Sequence, residues 1–349
     1  MSANTERPSR LDRPVGASLI TGFLGSGKTT LLRHLLAHSA MSETAVIVNE
    51  FGEIGLDHLL IETALEDAVL MKSGCVCCTL RGDLVDTLAS LRGRRTRGEI
   101  PPFRRVVIET TGLADPAPIL HALMADPSVA PYYRTECVVT TVDAVHALGQ
   151  LADHYESAKQ AAVADRIVLT KTDLAPARTA DEVAARLHAL NPAAPVLRVV
   201  NGEIEPAALF GVSESERNYA GFDFESMVRG SRTGNHSHDH GPEDDHSHGI
   251  DSFCLVRDQP VRWPALKAWL EALASLRGPD LLRLKGIVAV EGRSRPVIIH
   301  GVQHVLHAPR ELPDWPDGDR RTRIVFITRN IARGAIETLF DAAVGGGSA

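Results

Sequence analysis

Short apolar runs alternate with stretches of helical spacing over residues 17–200 of the chain. The apolar runs predict six strands, at 18–21, 45–49, 105–109, 137–142, 166–170 and 196–200. Helical patterns lie between most of them, for example at 30–40, 153–163 and 180–190. This alternation is typical of an α/β domain with a mostly parallel sheet covered by helices on both faces. Ligands of such a sheet bind at the carboxyl ends of its strands.

A second pattern begins at residue 250. It predicts strands at 252–256, 287–290 and 324–328 and helices at 264–276 and 331–340, which together make a smaller C-terminal α+β domain. Residues 230–249 contain no large apolar side chain and predict a disordered, histidine-rich linker. We therefore expect a disordered N-terminus at 1–15, an α/β domain at 16–229, the linker at 230–249 and the second domain at 250–349.

Composition excludes several classes of protein. With 349 residues and 44% hydrophobic content, the chain has enough material for two cores. A net charge of −7 argues against nucleic acid as the main partner. The sequence has neither a long uncharged apolar run nor the apolar core of a secretory signal, and its cysteines are clustered, so we expect a cytoplasmic protein that does not enter a membrane.

The most specific motif covers residues 22–29, GFLGSGKT, which match the phosphate-binding pattern G-x-x-x-x-G-K-[ST] between a strand and a helix. Lys28 is expected to reach the β- and γ-phosphates of a nucleotide, and the Thr29 hydroxyl to bind Mg²⁺. The motif identifies the fold as that of a P-loop NTPase. The predicted nucleotide-binding residues of this loop are Gly22, Gly25, Ser26, Gly27, Lys28, Thr29 and Thr30.

Two further strand ends carry residues suited to a nucleotide. The strand at 105–109 ends in Glu109, a candidate Mg²⁺ ligand, and Gly112 would let the backbone approach the γ-phosphate. After the strand at 166–170, Lys171 and Asp173 resemble the guanine-reading pattern Asn-Lys-x-Asp, with Thr170 in place of the asparagine. A carboxylate accepts from two donors on guanine that adenine does not offer, so the predicted nucleotide is GTP.

The segment at 49–57 follows the second predicted strand and is rich in acids and glycine. We interpret it as a mobile element that senses the γ-phosphate, with a surface loop of solvated acids as the alternative. Glu50, Glu53 and Asp57 are all candidates to orient the attacking water. The candidate catalytic residues are thus Lys28, Glu50, Glu53, Asp57 and Glu109.

Three of the five cysteines, Cys75, Cys77 and Cys78, lie within four residues. Neighbouring cysteines seldom bridge each other, whereas three thiolates on a predicted tight turn suit a thiophilic ion such as Zn²⁺. The alternative is a set of reduced cysteines without a common role. Cys137 and Cys254 lie alone in apolar stretches, where core packing is expected.

The linker contains five alternating histidines that could bind divalent metals weakly, and a solvated segment without a specific role is the alternative. These candidate weak ligands are His236, His238, His240, His246 and His248.

Together these motifs resemble the CobW-like metallochaperone GTPases of the SIMIBI class of P-loop proteins. The resemblance covers roughly residues 16–340 and rests on TGFLGSGKTT at 21–30, NEFGE at 49–53, GCVCC at 74–78, ETTGLADP at 109–116, ADRIVLTKTD at 164–173, LRLKG at 282–286 and GVQHVL at 301–306. It implies GTP binding, slow hydrolysis, zinc or a similar ion on the Cys-x-Cys-Cys motif, and delivery to a client metalloprotein. Some relatives carry an acid where this chain has Val48, which leaves Glu53 as an additional zinc ligand.

Several alternatives remain open at this point. Relatives within the family serve cobalt insertion for cobalamin synthesis or activate nitrile hydratase, so the metal could be cobalt or iron. A P-loop kinase with structural cysteines and a simple metal buffer come from other classes. The resemblance implies GTP, Mg²⁺ and Zn²⁺ as ligands, and it leaves open whether the chain forms a homo-oligomer.

Overall fold

The computed structural model of the chain describes residues 14–48, 76–79, 84–210, 248–316 and 318–344, and of residues 76–79 the backbone alone. The first part is built on a seven-stranded sheet in which every pairing is parallel. Its order is β3-β2-β4-β1-β5-β6-β7. The strands are β1 Val15–Gly22, β2 Thr44–Val48, β3 Val76–Thr79, β4 Arg105–Glu109, β5 Tyr133–Asp143, β6 Arg166–Thr170 and β7 Val196–Arg198.

Helices cover both faces of this sheet, as the continuous apolar strands predict. Alternate side chains of β1 enter different cores: Leu19 belongs to one cluster and Ile20 to the other. The described helices of this part are α1 Lys28–Ala37, α2 Leu84–Thr96, α3 Pro116–Ala125, α4 Ala147–Asp153, α5 Tyr155–Val163, α6 Ala177–Leu190 and α7 Pro206–Leu209. The predicted α/β P-loop fold is therefore confirmed.

Two local predictions are wrong. Residues 76–79 were expected on a tight turn and instead form β3, which pairs with β2. The helix predicted at 153–163 is found as α5 but starts two residues later, because His154 has an extended backbone at φ −124° and ψ 110° and separates α5 from α4, which the sequence did not predict.

The second part combines an antiparallel sheet with two helices, α8 Trp263–Arg277 and α9 Arg333–Ala343, which confirms the α+β prediction. Trp269 of α8 makes edge contacts with Phe326 and Phe340 at ring-centroid distances of 6.1 and 5.1 Å. The strand order is β11-β10-β9-β13-β8, with β12 paired to β10. The strands are β8 Ile250–Arg257, β9 Leu281–Val288, β10 Val297–Val302, β11 Val305–Leu306, β12 Arg310–Glu311 and β13 Thr322–Arg329.

Strand β9 begins six residues before its predicted start because two charged side chains conceal it in the sequence. Arg283 and Lys285 interrupt the apolar pattern, yet their side chains are only 6% and 7% exposed. Both cations face Asp165 of the first domain, which lies just before β6. Burial of a charged side chain is tolerated where an opposite charge lies against it.

Asp165 is the polar centre of the junction between the two domains. One carboxylate oxygen accepts from Lys285 Nζ at 2.5 Å and from Arg283, and the other accepts from the Val138 amide at 2.9 Å. Burial raises the pKa of Asp165, but the neighbouring Arg283 and Lys285 more than offset this and hold it well below its usual range. Around these charges, side chains from both domains form one continuous apolar cluster.

We predict that Asp165→Asn destabilises the protein by about 3–5 kcal/mol, because it leaves two buried cations without a charged partner. Urea denaturation followed by tryptophan fluorescence measures the change. Since the folded pKa is depressed, the difference from wild type should be constant above about pH 5 and shrink below about pH 4.

Asp181→Asn is the matched control. Asp181 pairs with Arg198 at 2.5 Å, but its side chain is 68% exposed, so the loss should stay within about 1 kcal/mol. Equal denaturation midpoints for the two variants would contradict the assignment of Asp165 as the centre of the junction.

Candidate functional site

The loop between β1 and α1 adopts backbone conformations that only glycine takes easily. Gly22, Gly25 and Gly27 have φ values of 142°, 70° and 91°. At Gly22 a Cβ atom would lie 2.3 Å from the Thr141 carbonyl oxygen, so no side chain fits there. The phosphate loop predicted from the sequence therefore has the tight backbone path that its glycines indicated.

Lys28, the lysine of the phosphate-binding pattern, lies at the start of α1 and is buried. Its Nζ donates to the carbonyl oxygens of Gly22 at 2.9 Å and Phe23 at 3.1 Å, which places the ammonium group inside the curve of the loop. Burial lowers the pKa of Lys28, and the nearby Glu109 carboxylate opposes that shift. The lysine is thus positioned where a P-loop lysine meets phosphate oxygens.

Hydroxyl groups from β5 and β6 hold the loop in place. Ser26 Oγ lies 2.6 Å from Thr141 Oγ1. Thr170 Oγ1 lies 2.8 Å from the Ser26 carbonyl oxygen and 3.1 Å from that of Val142. Thr170, a departure from the guanine-reading pattern in sequence, thus ties that strand end to the loop. The sequence analysis did not identify Thr141. The one sequence signal for it is the pair Thr140 and Thr141, two polar residues within the apolar strand β5.

Thr29 and Glu109, the two predicted magnesium ligands, are in direct contact. Thr29 Oγ1 donates to Glu109 Oε1 at 2.9 Å, and Glu109, at the end of β4, is 4% exposed. A hydroxyl and a carboxylate are hard oxygen ligands of the kind that Mg²⁺ prefers. The donor set fits this ion, and the ion would neutralise phosphate charge beside Lys28.

The turn after β4 touches the tip of the phosphate loop. A Cβ atom on Gly112 would lie 2.7 Å from the Leu24 amide nitrogen and 2.8 Å from its Cα, so the two backbones are in direct contact. Upstream in the same turn, Thr110 Oγ1 donates to Thr21 Oγ1 at 2.9 Å. The lack of a side chain at Gly112 is thus required by its contact with Leu24, and its approach to a γ-phosphate stays a prediction.

Helix α5 holds the same turn from its other side. Gln160 Nε2 donates to the carbonyl oxygens of Gly112 and Ala114 at 3.1 and 3.0 Å, and Lys159 pairs with Asp115 at 2.6 Å. Nothing in the sequence around Gln160 marks it, because its partners lie more than 40 residues away in the chain.

Lys171 and Asp173, the residues predicted to meet the base, follow directly after β6. Lys171 has a left-handed backbone, φ 55°, and its Nζ lies 2.7 Å from Asp143 Oδ2 at the end of β5. Burial raises the pKa of Asp143, but hydrogen bonds from Lys171 and His146 bring it below its usual value. Asp173 is exposed and accessible to a ligand. Asp143 was not among the residues predicted from the sequence.

The candidate metal ligands are only partly covered by the structure. The backbone of Cys77 and Cys78 forms β3, and the register aligns Thr79 with Val48 and Val48 with Glu109. Of the linker histidines, His248 has Nε2 3.2 Å from the Leu151 carbonyl oxygen. The described residues contain no group of three or more His, Cys, Asp and Glu side chains that could hold a metal ion. Outside the described residues lie Glu50, Glu53, Asp57, Cys75, His236, His238, His240 and His246.

Comparison with known families assigns both parts of the chain. Residues 16–198 match the CobW/HypB/UreG nucleotide-binding domain, and residues 250–344 match the C-terminal domain of the cobalamin synthesis protein CobW.

Individual relatives agree with these matches. The zinc chaperone YjiA of Escherichia coli K12 is 35% identical over 327 residues, covering 94% of this chain and 98% of that protein. The zinc chaperone CobW of a Sinorhizobium species is 31% identical, covering 90% of this chain and 92% of that protein. The crystal structure of Zn(II)-bound YjiA GTPase from E. coli superposes with a TM-score of 0.70 at 30% identity, covering 95% and 99% of the two chains. Across the described ranges, no helix combines the length and apolarity required to cross a bilayer.

We predict that Gly112→Ala weakens the affinity for a fluorescent GTP analogue by about 5- to 150-fold, the equivalent of about 1–3 kcal/mol of overpacking. The added methyl group would collide with backbone atoms of Leu24, which cannot move without opening the phosphate loop. Fluorescence titration gives the affinity, and circular dichroism reports whether the variant folds.

Gly334→Ala, in α9, provides the control because nothing lies within 4 Å of the added atom. It should bind the analogue like wild type. An unchanged affinity in Gly112→Ala would show that the turn after β4 does not need its close contact with the loop.

Proposed function

Because this chain belongs to the CobW/HypB/UreG family of P-loop GTPases, we propose that it is a GTP-dependent metallochaperone for zinc. In this proposal Cys75, Cys77 and Cys78 bind Zn²⁺, with Glu53 as an additional ligand. GTP hydrolysis controls the release of the ion to a client metalloprotein.

The nucleotide chemistry follows from the contacts of the phosphate loop. Lys28 stabilises the charge that develops on the β- and γ-phosphates, and backbone N–H groups of the glycine-rich loop surround the phosphate oxygens. Thr29 and Glu109 would hold Mg²⁺, which screens the charge of the leaving diphosphate. Among the acids at 49–57, Glu50, Glu53 and Asp57 stay candidates for orienting the attacking water.

One observation carries the link between the metal motif and the nucleotide. Strand β3, which contains Cys77 and Cys78, lies two strands from β4, and Thr79, Val48 and Glu109 share one row across the sheet. With about 4.8 Å between neighbouring strands, the Cα atom of Cys78 lies about 10 Å from that of Ile108, next to Glu109. Only strand β2 therefore separates the proposed magnesium site from the cysteine strand, so a rearrangement at one site is close enough to affect the other.

In this proposal the segment at 49–57 transmits that change. It leaves β2, the strand between the cysteine strand and the Glu109 strand. In our proposal the γ-phosphate and Mg²⁺ order this segment in the GTP state and bring Glu53 to the thiolates. Hydrolysis removes these contacts and weakens the metal site.

Zinc is the metal that we assign, because thiolates are ligands it prefers and the named relatives YjiA and CobW are zinc chaperones. The client is then a protein that requires zinc. A cytoplasmic location is part of the proposal, since the clustered thiols must stay reduced to bind metal.

The assignment of guanine predicts the behaviour of Asp173→Asn. This change replaces one carboxylate acceptor by an amide donor and should weaken GTP binding by about 10- to 100-fold, as for lost hydrogen bonds to a charged group. Discrimination against xanthosine triphosphate should relax, because its base presents an oxygen where guanine presents the 2-amino group. Competition titrations with the two nucleotides measure both effects.

Glu182→Gln is a control of similar chemistry, since Glu182 lies on α6 and its ion pair within the described part of the chain is with Arg178 of the same helix. It should leave both affinities unchanged. If the wild type binds ATP as tightly as GTP, Asp173 does not read guanine.

The proposed coupling predicts that Zn²⁺ binds more tightly to the form loaded with a non-hydrolysable GTP analogue than to the GDP form. A typical coupling free energy of about 1–3 kcal/mol corresponds to about 5- to 150-fold. Linkage requires Zn²⁺ to favour the GTP analogue over GDP by the same factor. Calorimetric titration of Zn²⁺ into both forms gives the two affinities.

Replacing Cys75, Cys77 and Cys78 together by serine should abolish the tight zinc site and leave nucleotide binding in metal-free buffer unchanged. Cys254→Ala is the control, because that thiol is buried in a core and should not contribute to metal binding. Equal zinc affinities of the two nucleotide forms would mean that the chain carries both sites without a switch between them.

A further inference from the structure

A cavity of about 430 Å³ lies at the junction of the two domains. Helix α3 and strand β5 line it from the first domain, and strands β9 to β11 line it from the second. This junction cavity includes neither the phosphate loop nor the cysteine strand, so the proposed function does not use it. Its volume lies within the range of about 300–1,000 Å³ that is common for small-molecule sites.

Three side chains that line the junction cavity, His300, Arg283 and Thr135, carry buried polar atoms without a hydrogen-bond partner among the described residues. Both ring nitrogens of His300 are buried without a hydrogen-bond partner among the described residues. The same holds for Nε of Arg283, whose side chain is 6% exposed and whose Nη2 donates to Asp165. Since buried polar groups are nearly always hydrogen-bonded, these atoms indicate a bound polar group.

The charges around the junction cavity favour an anion. The charged side chains that line it are three arginines and two carboxylates: Arg134, Arg283, Arg310, Glu136 and Asp165. Lys285 adds a fourth cation beside Asp165. The carboxylates are already engaged, Asp165 with Arg283 and Lys285 and Glu136 with Arg134 at 3.2 Å.

The same charges disfavour a metal ion. His300 and His307 form the only pair of imidazoles on the described cavity wall, with ring centroids 5.7 Å apart, and the described residues supply no third ligand. Burial lowers the pKa of His300 most, and Lys285, His307 and Arg283 lower it further, so His300 is neutral at neutral pH. A neutral imidazole next to a guanidinium group offers an N–H donor to an anion.

Most of the remaining wall is apolar and includes Leu120, Leu123, Met124, Val302 and Leu306. We propose that the junction cavity binds a small organic anion, with a carboxylate or phosphate head group on Arg283 and His300 and a short hydrocarbon part against these side chains. The ligand would contact both domains and join them.

Ligand-observed NMR on the full chain loaded with GDP and Mg²⁺ tests this proposal, because the occupied nucleotide site cannot capture a phosphate probe. The probes are n-pentanoate and n-butyl phosphate, which share a hydrocarbon tail and differ in head group. At least one of them should bind, and the tighter one identifies the head group. His300→Phe should weaken its binding about tenfold, as expected for the loss of one hydrogen bond.

His304→Phe is the matched control, because His304 is exposed and lies outside the cavity wall. It should bind the probes like wild type. Leu306→Trp enlarges an apolar side chain of the wall, should fill the cavity and abolish binding, and keeps the test valid if His300→Phe does not fold. Absence of binding of both probes to wild type, or binding that neither cavity variant weakens, would overturn the proposal.

Discussion

The phosphate loop keeps its shape because hydroxyl groups on two neighbouring strands hold it. A loop with three glycines pays a high conformational entropy for a single backbone path. Thr141 and Thr170 offset part of that cost by bonding Ser26, one at its side chain and the other at its carbonyl oxygen. Lys28 closes the loop from within. Glu109, a proposed magnesium ligand, and the turn that carries Asp173 lie at the carboxyl ends of strands of the same sheet, so their positions relative to the loop depend on this arrangement.

Helix α5 connects this site to the second domain. Within the helix, Gln160 donates to the turn that contains Gly112. Two residues after the end of the helix, Asp165 pairs with Arg283 and Lys285. Helix α5 and the residues that follow it therefore bond on one side to the turn that touches the phosphate loop and on the other side to strand β9 of the C-terminal sheet. A movement of the turn after β4 would be transmitted to the junction of the domains through the hydrogen bond of Gln160, helix α5 and the ion pairs of Asp165.

The cysteine strand has a different relation to the nucleotide. Strand β3 is the terminal strand of the parallel sheet and pairs, within the described residues, with β2 alone. The edge of a sheet is the part that another protein reaches most easily. A metal motif at this edge would therefore be close to the magnesium site and open to a client, which are the two properties that the proposed chaperone needs.

The sequence by itself determined the features whose chemistry lies in adjacent residues. Local patterns predict the loop at 22–29, the strand end at Glu109, the turn that carries Asp173, and the α/β and α+β classes of the two domains.

Tertiary structure alone decided the features that depend on residues far apart in the chain. Gln160 and Asp143 became visible only through their partners. The predicted start of strand β9 was six residues too late, because Arg283 and Lys285 look like surface residues until Asp165 is placed against them. The junction cavity has no sequence pattern, since each wall comes from a different domain. A buried charge or an interdomain space is defined by what folds against it, and the linear sequence does not contain that information in any single segment.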